Sequence, residues 1–462
     1  MPFSRSALGQ RWMLPPVDDQ ARELARALQL SPVIGDLLWQ RGLQSPGAAQ
    51  LFIEPKLSSL VNPFTLTDLE AAAARLADAV DRGRRMVIYG DYDVDGITSS
   101  ALLWRVVRAL GGEIATFLPH RMDEGYGLSQ EGLERCLEQH RPELLIAVDC
   151  GTTAVEQIAW LRERGVEVMV VDHHELPPEL PAAHELVNPH RDGHLLYLAS
   201  VGLVFKLLHG LLKHRPDYKK RVDLRDYMDL VAVGTVADIV PLVDDNRIFV
   251  RRGLRQLMQT ENAGLAALMQ VAGVRGVPTP ADIGFRLGPR LNASGRLGDA
   301  TRSLELLTTG DPRRANELAR ELDFTNRERQ RHERVTHEEA SQIAGEQFDR
   351  ERDHTLVVAR RGWHVGVIGI VASRLLRHHY RPTLVIGIDE ETGMGKGSGR
   401  SIEGYSLIDG LRACADLFDS FGGHEMAAGL TIPEENIPEF RRRLEAHARE
   451  TLSTGQLQPR LH

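Results

Sequence analysis

At 462 residues the chain is too long for one ordinary hydrophobic core, so two or three domains are expected. Its 42% hydrophobic and 26% charged residues are those of a soluble globular protein, and no apolar run approaches the ~20 residues that span a bilayer. The formal charge of -8 argues against coating nucleic acid by bulk basicity, but it leaves room for a local basic groove.

The opening stretch MPFSRSALGQRWMLPP has no apolar centre of the signal-peptide kind. Three cysteines, Cys136, Cys150 and Cys414, form no CxxC and no even framework, which suits a reducing compartment; a cytoplasmic location is expected. Residues 1–80 read as short helices with Pro and Ser breaks, ending in an Ala-rich helix from Asp68, its candidate N-cap, to Val80. Four β-branched runs follow, at Arg85–Gly90, Glu113–Leu118, Leu144–Val148 and Val166–Val171, with helical stretches between them. Strands alternating with helices predict βαβ units and a parallel sheet, whose ligands gather at the carboxyl ends of the strands. Residues 195–310 are mainly helical. The Pro-poor polar segment 311–350 predicts a long connecting helix, with Arg327, Arg329, Arg331 and Arg334 set against Glu328 and Glu333 on a solvated face or, as the second reading, lining a cleft between the two domains. A second alternating region then has strands near Thr355–Ala359 and Thr383–Ile388 and a helix over 366–379. The fold class is therefore α/β. Its expected parts are an N-terminal helical segment (1–80), a parallel-sheet catalytic domain (81–310), the connecting helix (311–350) and a smaller α/β domain (351–455).

The chemistry lies in the turns after the strands. Asp91, Asp93 and Asp95 stand at alternate positions after the first run, and clustered acids repel unless cations neutralise them or protons do. A solvated acidic turn is the plain alternative. An EF-hand is excluded because its twelfth position is Leu102 and a strand replaces the entering helix. Asp149 follows the third run, Asp172-His173-His174 follows the fourth, and Asp238 sits in the apolar stretch Val233–Pro241, where a buried carboxylate needs a partner. These oxygen and nitrogen donors, with no plausible thiolate, favour Mn²⁺ or Mg²⁺ over structural zinc. Several carboxylates holding two such ions fit phosphodiester hydrolysis. The glycine-rich segment Gly393–Arg400 is neither a P-loop nor a dinucleotide fingerprint; alternating glycines suit a strand that closely approaches another backbone or a nucleotide.

Together these segments resemble the DHH phosphoesterase superfamily, named for the triplet at 172–174. Further segments resemble its RecJ-type single-strand exonucleases: Pro119–Gly127, Gly288–Arg296, Gly362–Ile370, Gly397–Ser401 and Phe421–Gly429, the last two in a DHHA1-type domain. The resemblance implies a 5′-to-3′ exonuclease that hydrolyses single-stranded DNA to mononucleotides in repair and recombination, with two divalent cations, Mn²⁺ preferred or Mg²⁺. By that likeness Asp93, Asp95, Asp149, His173 and Asp238 are the metal ligands, with Asp149 bridging. Asp91 and Asp172 orient their neighbours, and His174 contacts the scissile phosphate and assists the leaving group. Arg121, Arg290, Asn292, Arg296, His364, Ser398, Arg400 and His424 match substrate-binding positions, although pairing of Arg121 with Asp123 or Glu124, or turn stabilisation by Asn292 and Arg296, is the plain reading of each.

The family likeness also implies single-strand-binding protein and a helicase as partners; no membrane is expected, and the oligomeric state is left open, with a monomer favoured. Two departures qualify the likeness. Some relatives have a His where this chain has Tyr89, which implies a poorer ligand set at one metal. The chain also ends at Arg460-Leu-His, about where RecJ-type enzymes continue into an OB-fold; without one, weaker DNA grip and lower processivity are expected. Other readings are a superfamily phosphodiesterase of short oligonucleotides or cyclic dinucleotides, and an inactive DNA-binding scaffold on the same fold.

Overall fold

A computed structural model describes residues 18–119, 127–453 and 455–458. These form two compact units, the first from residues 18–119, 127–266 and 274–288, the second from 267–273 and from 289 onward.

The first unit begins with three short helices, α1 (Asp19–Ala27), α2 (Pro32–Gln40) and α3 (Pro46–Ile53), then α4 (Leu69–Asp81). Asp68 stands at the N-cap position of α4 but makes no cap bond. Its backbone is left-handed (φ 63°), and its carboxylate accepts instead from the Leu186 amide at 3.2 Å and from Arg191. Five parallel strands follow: β1 (Met86–Gly90), β2 (Ile114–Phe117), β3 (Leu144–Val148), β4 (Glu167–Val171) and β5 (Glu185–Val187), in the order β2-β1-β3-β4-β5. β1 and β3 are buried at every position, as strands covered on both faces must be. Between them run α5 (Val94–Ala109), α6 (Gln130–His140) and α7 (Val155–Glu163). The chain leaves β1 toward β2 and returns to β3 on the other side, so the order reverses between β1 and β3, where such sheets open a ligand crevice.

Helices α8 (Ser200–His214), α9 (Met228–Ala237) and α10 (Asp244–Leu257) complete this unit near the site. Gly253 and Gly234 let them pack closely: a Cβ at Gly253 would stand 2.1 Å from the Met228 carbonyl oxygen, and one at Gly234 2.2 Å from Thr98 Oγ1. The wholly buried Lys206 of α8 pairs with Asp245 of α10, and Asp245 also accepts from the Val61 amide at 3.2 Å.

The second unit starts within α11 (Gly288–Leu297), continues through α12 (Thr301–Thr308), and enters the 36-residue α13 (Pro312–Gln347). Asp311 caps α13 by accepting from the Arg313 amide, and Pro312 fills its first turn. The expected solvated face holds only in part. Arg331 pairs with Glu328 in the open, whereas Arg329 is 9% and Glu333 3% exposed; Arg329 pairs with Glu333 and also donates to Asn326 Oδ1. The strands β6 (Leu356–Arg361), β7 (Thr383–Ile388), β8 (Met394–Arg400), β9 (Ser420–Gly423) and β10 (Ala427–Pro433) form a sheet in the order β6-β7-β8-β10-β9, parallel only at β6–β7. α14 (Val365–His379) crosses between β6 and β7, and α15 (Leu407–Arg412) and α16 (Ile437–Thr451) complete the unit. The alternating glycines do build a strand, and what approaches it is apolar side chain. Cβ atoms at Gly395, Gly397 and Gly399 would lie 2.6–2.8 Å from Ile386, Leu430 and Leu407. Lys396, Ser398 and Arg400 alternate with these glycines and so take the other face of β8.

Candidate metal centre

Register assembles the site. Gly90 pairs with Val148 and Val148 with Val171, so the residue after each strand end, Asp91, Asp149 and Asp172, arrives level at the carboxyl edge. Asp93 caps α5, its Oδ1 accepting from the amides of Asp95 (2.8 Å) and Gly96 (3.1 Å). A Cβ on Gly96 would stand 2.6 Å from the Asp91 carbonyl oxygen, so glycine is what allows the turn to close. Asp95 accepts from the first two amides of α8, Ser200 at 2.6 Å and Val201 at 2.9 Å, which places a carboxylate on a helix N-terminus. The Ser200 hydroxyl donates to Asp149 Oδ1 at 2.8 Å. Asp149 itself has a left-handed backbone (φ 61°), a conformation that Asp tolerates better than most residues. Asp238 follows the last turn of α9.

Distances bring these groups into reach of shared ions. Ligand atoms of Asp91, Asp93 and Asp149 lie within 4.8 Å of one another, as do those of Asp95, His173 and Asp238, and those of Asp149, His173 and His174. His173 Nε2 is 3.5 Å from Asp149 Oδ1 and 3.8 Å from Asp238 Oδ2. Burial and the neighbouring carboxylates push Asp95 and Asp149 well above the usual carboxylate range, and burial with Asp93 raises Asp238 to about 7. Burial and the adjacent His174 lower His173 to about 4, so its ring is neutral near pH 7. Asp172 is different. Burial alone would raise it, but hydrogen bonds from the His174 ring at 2.7 Å and the Thr152 amide at 3.1 Å hold it well below the ordinary range. That partner outweighs burial in His174 as well, raising it to about 9.

A divalent cation fits this donor set. Asp238 Oδ2 is buried with no hydrogen-bond partner among the described residues, and the remaining carboxylates repel one another, a repulsion that a bound cation relieves. Oxygen and neutral imidazole donors suit Mn²⁺ or Mg²⁺.

Sequence reasoning missed three contributors. Ser200 supports Asp95 and Asp149. Thr152 supports Asp172. The fully buried Asn188 donates to Thr152 Oγ1 (3.0 Å) and to the His174 carbonyl (2.8 Å). Asn188 follows β5, at the same sheet edge as the acids; recognising that three-residue strand was the available signal. Tyr89 is buried in the apolar core, with its ring 5.2 Å from that of Phe117.

The other expected site residues, Arg121 apart, lie in the second unit; Arg121 falls outside the described residues. Arg290 is held by Asp323 at 2.9 Å. His364 caps α14, accepting from the Gly366 amide, and its ring lies 5.5 Å from that of His332. Arg296 reaches the Gly366 carbonyl at 3.4 Å. Arg400 donates to Ser398 Oγ at 3.2 Å, and a Cβ on Gly369 would lie 2.9 Å from that oxygen, so these groups gather on the N-terminal half of α14. Asn292 is half-buried on α11, and the exposed His424 is fixed through its backbone amide to the Ala427 carbonyl.

Residues 85–235 match the DHH family, N-terminal domain, and residues 353–450 match the DHHA1 domain. Single-stranded-DNA-specific exonuclease RecJ of Bacillus subtilis strain 168 is 39% identical over 96% of this chain and 56% of its own length. The protein of the same name in Escherichia coli K12 is 35% identical over 93% of this chain and 77% of its own. Among solved structures, RecJ in complex with Mn²⁺ from Thermus thermophilus superposes with a TM-score of 0.81 at 34% identity, over 95% of this chain and 62% of that one. The chain thus spans less than two thirds of the Bacillus relative and of the Thermus structure.

Proposed function

Because this chain belongs to the family of RecJ single-stranded-DNA-specific exonucleases, we propose that it hydrolyses single-stranded DNA from the 5′ end to mononucleotides, using two divalent cations and serving repair and recombination. The observation that carries this reading is the convergence of acids from three separate segments with His173 and His174 from a fourth. Asp93, Asp95, Asp149, His173 and Asp238 would hold the ions, with Asp149, a member of two of the ligand groups, as the bridge. Divalent cations bound there supply an activated water and stabilise the leaving oxygen.

The protein's own groups do the rest. The α8 N-terminus and the Ser200 hydroxyl fix Asp95 and Asp149 before any substrate arrives. Asp172 holds the Nδ1 side of His174 and so orients the ring to face a phosphate and give a proton to the departing oxygen. Arg296, His364, Ser398 and Arg400 bind DNA phosphate, with Arg121, Arg290, Asn292 and His424 as further contacts.

Digestion of end-labelled oligonucleotides with Mn²⁺, Mg²⁺ or chelator tests the proposal. Mononucleotide release from a 5′ label, dependent on metal, is expected. Asp149→Ala should lower the rate at least a thousandfold while leaving the protein folded. Full activity in that variant, or equal digestion of blunt duplex, would sink the reading.

A further inference from the structure

The C-terminal halves of α13 and α14, both in the second unit, enclose a groove of about 680 Å³. His337, Ser341, Arg374, Arg377, His378 and His379 line it, and no carboxylate does among the described residues. On a chain of net charge -8 this is a local reversal of sign.

The plain explanation is that cations in the last turn of a helix serve its own carbonyl groups. Here Arg381 already does so, donating to the Tyr380 carbonyl at 3.0 Å. Arg374 is taken up by Glu333. Arg377 and His378 are exposed, and among the described residues neither side chain has an ion pair or hydrogen bond. His337 Nδ1 is buried with no hydrogen-bond partner among the described residues, although burial and Arg374 lower the affinity of that ring for a proton. The His378 ring meets that of His379 edge-on at 4.7 Å between centroids, and Arg377 has no ion pair or hydrogen bond among the described residues.

Helical spacing connects them to the phosphate cluster described above. Gly366, Gly369, Ser373 and Arg377 recur at intervals of three, four and four, so they share one face of α14. At one end of that face Arg296 meets Gly366, and Ser398 with Arg400 meets Gly369. Arg377 lies eight residues further along, about 12 Å at the helical rise of ~1.5 Å per residue.

Resting on the nuclease reading, the geometry points to this groove as a second subsite for the phosphodiester backbone of single-stranded nucleic acid, in line with Arg296, Ser398 and Arg400. The guanidinium of Arg377 pairs with a phosphate through two donors, and the exposed His378 ring offers a stacking face for a base.

The test is binding of a fluorescent 30-nucleotide oligothymidylate to the full chain in chelator, across a range of salt. Wild type is compared with Arg377→Glu/His378→Glu and with Arg377→Gln/His378→Gln, all checked by thermal melting. The charge-reversed variant should bind about tenfold more weakly at low salt, and the glutamine variant should fall between. The slope of log affinity against log salt should become shallower by about one, as loss of one or two phosphate contacts requires. Wild-type binding with no change in either variant overturns the groove alone. No binding by wild type sinks the nuclease reading with it. Displacement of the oligonucleotide by millimolar inorganic phosphate would mark a free-anion site and overturn the assignment. So would retention on anionic phospholipid vesicles that the variants lose while oligonucleotide binding persists.

Discussion

A single hydroxyl shows how finely the centre is set. Ser200 donates to Asp149 Oδ1, one of the atoms available to a cation. Ser200→Ala removes a hydrogen bond to a buried acid, so the metal-free protein should lose about 1–2 kcal/mol. With Oδ1 no longer shared, the rise in melting temperature on adding Mn²⁺ should be larger than in wild type. An equal loss with and without the ion would contradict the role assigned to Ser200. His209 makes a separate residue-scale case. Burial and the charges of Lys213, Lys206 and Lys219 lower it from 6.5 to about 4. Between those values the unfolded chain binds a proton that the folded chain refuses, so stability is complete above about pH 6.5 and is lost as pH falls toward 4. His209→Gln should flatten the melting-temperature profile across that window; an unchanged slope would place the acid sensitivity elsewhere.

Elements succeed or fail at the site by how closely they approach. Gly234 of α9 lies against Thr98 of α5 and Val201 of α8, with Asp95 Oδ1 3.1 Å from where a Cβ would stand. Gly234→Ala should cost about 1–3 kcal/mol through overpacking. It should also weaken Mn²⁺ binding, because Asp238 ends the same helix. Calorimetric titration with the ion checks this, and unchanged affinity would show that α9 absorbs the methyl elsewhere.

At this scale the sequence was most readable where periodicity and chemistry agree. β1, β3 and β4 are apolar runs that stop at an Asp, and parallel register makes those stops level. Less was readable where tertiary partners decide. β5 is three residues long, and Asn188 beyond it carries no motif. Asp68 follows the capping rule by position, yet Leu186 and Arg191, more than a hundred residues away, claim its carboxylate. Arg329 and Glu333 have the spacing of a surface pair, yet both are buried, and Glu333 also meets Arg374 of α14. Ser200 reads as one small residue before a helix, because nothing local reveals an acid fifty positions earlier.

On the scale of the molecule, each unit has its own sheet and its own apolar core, gathered around Val87 and Leu145 in one and around Leu384 and Ile386 in the other. All the expected metal ligands belong to the first unit. Differential scanning calorimetry should therefore resolve two transitions, with Mn²⁺ raising only one of them, since an ion stabilises only the folded part that binds it. Asp149→Ala should abolish that selective shift. One transition that moves as a whole would mean that the units unfold together.

The cysteines allow the same question to be asked without a calorimeter. All three are buried and free, and burial raises Cys136 to about 12, Cys414 to about 11 and Cys150 well above the usual thiol range. A thiol held protonated and shielded is inert to alkylating reagents until its surroundings open. Two of them report on the first unit and one on the second. Timed alkylation followed by peptide mass analysis would thus read the opening rate of each half of the natural chain, with no label introduced by mutation.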